Sequence, residues 1–258
     1  MRVAVLQTDW ADLDRADRLD RLDAAADACS ADVLVTPELS LSGYAIGDAL
    51  SDAGETCDGP SLTGAREVAR RHGVALVVGW VEVQGDQRFN VATCVGHDGR
   101  ILGHHRKTIL PPGFERRVFS PGRGMMLFQI SGVTCALLIC YEVEIAECAR
   151  AIAASGAELV LAPTALSADW PIVAHRMIPT RAFENSVAIA YANHTGKEGE
   201  TRYLGASCIV APDGQTLARA DSDAELIEAD IVFDRVAMLR ERLPYGADAG
   251  AAAERLRG

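Results

Sequence analysis

Positive charge is in short supply in this sequence. Its 258 residues include 25 lysines and arginines against 36 aspartates and glutamates, a formal charge of −11. Such a surface repels phosphate backbones and anionic lipid headgroups, so neither a nucleic-acid nor a membrane partner is expected. No apolar run reaches the roughly 18 residues that a membrane-spanning helix needs. The opening MRVAVLQTDW has no cationic leader ahead of an apolar core, so no signal peptide is expected. No low-complexity tract precedes the last dozen residues, and 49% apolar content excludes disorder. Cys-x-x-Cys and His-x-x-x-His pairs are absent, as are a Walker-type lysine motif and a strand-linked GxGxxG. No metal and no cofactor are therefore expected. The seven cysteines (29, 57, 94, 135, 140, 148 and 208) are odd in number, which predicts reduced thiols and a cytoplasmic protein.

What is present alternates short apolar runs with helix-like stretches. Strands are expected at Arg2–Gln7, Val33–Thr36, Val74–Val83, Phe89–Val95, Arg100–His105, Met126–Ile130 and Val133–Ile139. Further strands are expected at Leu159–Ala162, Val187–Ala192, Cys208–Val210 and Glu225–Asp230. Helices are expected at Leu13–Ser30, Ser61–His72, Ala146–Ser155 and Ile172–Asn185, the last kinked or divided at Pro179. Residues 9–32 hold eight aspartates and three arginines, nearly half the net charge, which reads as the solvated outer face of the first helix. Hairpins mixed with helices give an α/β domain with a mixed sheet, a single domain over 1–246. The tail from Ala247 is expected to be loose.

The most informative stretch is VTCALLICYEVEIAECA, where a buried strand runs into Cys140 and then a helix. A thiol at such a corner is either an exposed nucleophile or one more small packing residue, and spacing leaves both open. None of the six histidines sits in a pattern that marks a base. Three charges lie just beyond strand ends instead: Glu38 in VTPELS, Lys107 in HHRKTIL and Glu115 eight residues later. Singly each reads as a solvated loop charge; together with Cys140 they gather at the edge where open α/β sheets build their sites.

Those residues carry a resemblance. PELSLSGY, GWVE, FNVA, HHRKTIL, FSPG, LLICYEVE, GAELVLAPTA, RAFENS, YANHTG, GASCIVAPDG and ELIEADI together resemble the nitrilase, or carbon–nitrogen hydrolase, superfamily almost end to end. The resemblance implies an α-β-β-α sandwich and a Glu–Lys–Cys triad with a second glutamate, carried here by Glu38, Lys107, Cys140 and Glu115. GYAIG, Tyr141 after the cysteine and the PTA and PDG runs are most similar to single-domain amidases of small aliphatic or amino-acid amides, delta-aminovaleramide amidases among them. By that likeness the partners are a small amide and water, and the assembly is a homodimer or higher homo-oligomer. Tyr44, Tyr141 and Trp170 are the expected substrate contacts. Two alternatives stay open: an N-carbamoyl amino acid hydrolase, whose substrate carboxylate would call for an arginine such as Arg176 or Arg202, and a catalytically silent binding member of the fold.

Overall fold

The computed structural model describes residues 1–44 and 53–257. Ala45, Ile46 and Gly47 of the GYAIG motif lie outside the described residues. Along the chain come β1 (Arg2–Gln7), α1 (Arg15–Ala28), β2 (Val33–Val35), α2 (Pro60–His72), β3 (Ala75–Gln84), β4 (Gln87–Val95), β5 (Ile101–Arg106) and α3 (Glu115–Val118). Next are β6 (Leu127–Ile130), β7 (Val133–Leu137), α4 (Tyr141–Glu144), α5 (Ala146–Ala154) and β8 (Leu159–Pro163). The chain finishes with α6 (Ile178–Asn185), β9 (Ala188–Ala192), β10 (Lys197–Glu198), β11 (Thr201–Arg202), β12 (Cys208–Val210), β13 (Thr216–Arg219), β14 (Glu225–Asp230), α7 (Val236–Arg242) and α8 (Tyr245–Arg257).

The strands form two six-stranded mixed sheets, in the orders β14-β1-β2-β3-β4-β5 and β13-β12-β9-β8-β7-β6. In each, three neighbouring strands run parallel and the outer ones antiparallel. Alternation of side chains along the strands explains the layering. Val3, Val5, Val33, Val35 and Val77 of the first sheet share a core with Cys135, Leu137, Leu159, Leu161 and Ala190 of the second. The intervening residues face outward under helices: Ala4, Leu34 and Leu76 meet Leu22 of α1 and Leu62 of α2. Ala136, Val160 and Ile189 meet Ile152 of α5 and Ile178 of α6. The result is the α-β-β-α sandwich. It replaces the expectation of one mixed sheet with two, because period-2 alternation marks a strand without saying which sheet it joins.

Two local expectations are corrected. On α1 the buried stripe is Arg18, Leu22, Ala25 and Ala26. Arg18 leaves the solvated face because its guanidinium donates to Leu13 O at 3.0 Å and Ser40 O at 2.8 Å. The segment 172–185 is two pieces, a π-helical turn at Val173–Met177 followed by α6. Pro179 sits in the first turn of α6, where a missing N–H costs nothing. The tail from Ala247 lies in α8, whose AAAERLR run is made of strong helix formers. Tyr245 at its start packs edge-on against Phe183 of α6, ring centroids 5.9 Å apart.

Candidate active site

Four connections at one end of the sandwich bring the four expected site residues together. Glu38 lies beyond β2, Lys107 just after β5, Glu115 opens α3, and Cys140 sits between β7 and α4. Backbone hydrogen bonds stitch these ends together: Glu38 N–H to Thr164 O at 3.3 Å, Cys140 N–H to Pro163 O at 2.9 Å, and Lys107 N–H to Asn90 O at 2.8 Å. Gly79 of β3 lets the Glu38 loop approach, since a Cβ there would lie 2.3 Å from Leu39 N. Cys140 itself adopts φ 49°, ψ −109°, a conformation L residues avoid and surrounding structure must impose.

Glu38, Lys107 and Glu115 are fully buried and bonded to one another. Lys107 Nζ donates to Glu38 Oε1 at 2.6 Å and to both Glu115 oxygens at 2.9 Å. Asn90 Nδ2 donates to Glu38 Oε1 at 2.7 Å and Glu115 Oε2 at 3.3 Å. Tyr44 Oη donates to Glu115 Oε1 at 2.7 Å. Glu38 Oε2, by contrast, has no hydrogen-bond partner among the described residues.

Burial lifts the Glu38 carboxyl to about 7; Lys107 pulls it down and the like charge of Glu115 pushes it back up. Burial works against the Lys107 ammonium, but the two carboxylates outweigh it and hold its pKa raised. Burial also pushes the Cys140 thiol well up, reinforced by Glu38 and opposed by Lys107 and the Ala165 backbone N–H. α4 is a single four-residue turn, and desolvation is the largest influence on this thiol. A thiol in this setting needs a neighbouring base.

Cys140 lies at a cavity of about 540 Å³ whose lining includes Tyr44, Tyr141, Glu144, Leu166, Trp170 and Met177. All three expected substrate contacts thus face the space beside the sulfur. The π-helical turn contributes Val173 and Met177 to the same wall. Arg176 and Arg202 are exposed and do not line it.

Sequence reasoning missed several residues that hold the site. Glu142 accepts from Thr108 N at 2.7 Å, Thr108 Oγ1 at 2.6 Å, Ile139 N at 2.8 Å and His105 Nε2 at 2.8 Å. It ties the lysine loop to the cysteine corner, and those donors outweigh burial to hold its carboxyl at about 2. Asn193 pins Leu166 through both backbone groups, at 2.7 and 3.3 Å. His194 Nε2 donates to the Glu38 carbonyl at 2.7 Å, its ring stacked on Tyr203 at 4.7 Å; burial lowers it to about 4, which keeps it neutral. The only hint was a polar residue inside an apolar run, as in FNVA and YANHTG.

One further group has metal-like ligands: Cys57, Glu82 and His104 bring their ligand atoms within 4.8 Å of one another. Arg106 already occupies both Glu82 oxygens, at 2.6 and 2.8 Å, so this network is satisfied as it stands.

The profile of the family described as carbon-nitrogen hydrolase matches residues 2–241. The chain is 41% identical to the "hydrolase in pqqF 5′ region" of Pseudomonas protegens, over 88% of this chain and 81% of that protein. It is 32% identical to an (R)-stereoselective amidase of a Pseudomonas species, over 96% and 91% of the two. A cysteine-to-alanine mutant of the Nesterenkonia AN1 amidase, from the nitrilase superfamily, superposes with TM-score 0.89 at 33% identity, covering 100% of this chain and 97% of that one. Another form of that amidase carries the acetamide moiety of fluoroacetamide on its active-site cysteine. The matched profile, these relatives and a sandwich that gathers a cysteine beside two glutamates and a lysine agree: the chain belongs to the carbon–nitrogen hydrolase family, within the nitrilase superfamily.

Proposed function

We propose that this protein hydrolyses small primary amides, of the aliphatic or amino-acid amide class, to a carboxylate and ammonia. The enzyme is a cysteine-dependent amidase, and its nucleophile is Cys140. One observation carries the reading: a carboxyl lifted to about 7, with one oxygen unpartnered, belongs to a buried cluster that acts electrostatically on a thiol opening onto a cavity. That is the value a general base needs at neutral pH.

Glu38 takes the Cys140 proton as the sulfur attacks the amide carbon. Negative charge then develops on the former carbonyl oxygen. Lys107 has three N–H bonds, and two suffice for its carboxylates, which leaves one for that oxygen beside the Tyr141 backbone N–H. The tetrahedral intermediate collapses, the C–N bond breaks, and Glu38 returns its proton to the departing ammonia. Water then gives a proton to Glu38 and attacks the thioester, releasing the carboxylate and restoring the thiol. Glu115 and Asn90 hold Lys107 and Glu38 in register throughout. Tyr44, Tyr141 and Trp170 contact the substrate chain. The carbamoyl-amino-acid alternative loses support because neither Arg176 nor Arg202 reaches the cavity wall. A homodimeric or larger assembly in the cytoplasm completes the proposal, and seven free thiols suit that compartment.

Ammonia release from butyramide tests the reading, with Cys140→Ala expected to abolish it and Glu38→Gln to lower it about 100- to 10,000-fold. Iodoacetamide, itself a small amide, is expected to alkylate Cys140 ahead of the half-buried Cys29, Cys57 and Cys148. Labelling that begins at those three while Cys140 stays inert removes the nucleophile assignment.

A further inference from the structure

Two glutamates on α4 have opposite fates. Glu142 spends both oxygens on four donors of the scaffold. Glu144, two residues on, has no side-chain hydrogen bond and no cation within ion-pair distance among the described residues, although it is only partly exposed. Arg181 passes the carboxylate by: its guanidinium donates to the Glu144 backbone carbonyl at 2.7 Å and to Glu184 Oε1 at 2.9 Å. Every other carboxylate around the site, Glu38, Glu115 and Glu198 included, has a bonded partner.

Glu144 also lines the cavity beside Cys140, and among the described lining residues it is the sole charged side chain. Its charge is close enough to interact with Lys107, with Arg181 and with the buried Tyr191 hydroxyl, which also feels Cys140. The rest of the wall is largely apolar: Leu166, Val173, Met177, Pro111 and Trp170 among others. A carboxylate on such a wall, bonded to nothing, has only the charges of Lys107 and Arg181 to offset its desolvation, and a cation entering the cavity would pair with it directly. Burial outweighs those two charges and raises its pKa.

We propose that Glu144 is the ammonium-binding residue of this cavity, and that the preferred substrates are amides whose chain carries a cationic amino group. This rests on the amidase reading above. The reacting amide lies at Cys140 and the ammonium at Glu144, so the cation belongs at the end of the chain remote from the scissile bond. Amides ending in a carboxylate are repelled by the same residue.

The test compares 5-aminopentanamide with hexanamide, which puts a methyl group where the ammonium was. The wild-type enzyme is expected to favour the cationic amide by about tenfold or more in kcat/KM, as for a site built around one polar group. Glu144→Gln should bring that ratio close to one, chiefly through the KM of the amino amide. Glu144→Lys should shift preference toward the monoamide of glutaric acid, a change that mere loss of packing would not produce. Wild-type turnover of hexanamide equal to or better than that of 5-aminopentanamide overturns the proposal, and so does a ratio that Glu144→Gln leaves unchanged. Should neither amide be hydrolysed and fluoroacetamide leave no adduct on Cys140, the amidase reading itself fails and takes this proposal with it.

Discussion

At Glu38 three influences meet, and under the proposed mechanism their balance would set the working pH. Burial and the Glu115 charge raise the carboxyl, Lys107 lowers it, and the outcome is about 7. The base form therefore accumulates above that value, and kcat/KM should rise with pH along a limb centred near 7. That midpoint belongs to the whole cluster and not to one proton. Glu115→Gln removes a like charge, so the limb should move to lower pH; a limb that stays put or moves up contradicts the assigned electrostatics. Cys140 supplies a second prediction. Its φ of 49° strains any L residue by about 1–3 kcal/mol, which glycine would not suffer. Against that stands about 0.4–1 kcal/mol for the looser unfolded chain of a glycine. Cys140→Gly should accordingly be about 1 kcal/mol more stable than Cys140→Ala by thermal unfolding. Glu38, Lys107, Glu115 and Cys140 were legible because each stands just outside an apolar run. Asn90 was not: it is inside one, and its partner Glu38 lies 52 residues away. Glu142 was hidden for the same reason, since its donors come from the other sheet's last strand and loop.

The short elements around the site depend on such long-range ties. α4 is one turn, too brief to hold itself, and Glu142 anchors it to His105 in β5 and to Thr108 just beyond it. Removing one side of a buried pair typically costs about 3–5 kcal/mol, so Glu142→Ala should lower the melting temperature by roughly 2–4 °C per kcal/mol lost. The pH dependence has a definite sign. Because the folded structure holds the Glu142 carboxyl at about 2, below its ordinary 4.5, its stabilisation is complete above pH 4.5 and disappears as pH falls toward 2. The stability gap between wild type and Glu142→Gln should shrink over that window, measured by chemical denaturation; a gap that widens on acidification excludes this account. Several strands were read from periodicity almost to the residue, Arg2–Gln7, Cys208–Val210 and Glu225–Asp230 without error. Four-residue α3 and α4, and the strand β13, left no such trace, because a single turn or an exposed edge needs no repeating apolar pattern.

Across the whole molecule, much of the acidity noted at the outset lies on and around α1, which packs on the outer face of the first sheet. The fold keeps that charge off the inter-sheet core. The terminal arrangement was beyond sequence reading: β14 returns across nearly the full chain to pair with β1, Arg2 opposite Asp230. Propensity describes segments, and a closure of that span is decided by the sandwich as a whole. The two sheets also divide the proposed site. Glu38, Lys107 and Glu115 follow strands of the first sheet, while Cys140 follows a strand of the second. Neither layer holds a complete set. Cutting the chain near Gly122, between α3 and β6, should thus yield two silent fragments whose co-expression restores ammonia release; activity from either alone would refute the division. On the proposed mechanism the fold would act as a coincidence detector for its own assembly: turnover would require two layers, joined through β14, to meet in register, and so it would report docking where a secondary-structure signal reports only parts.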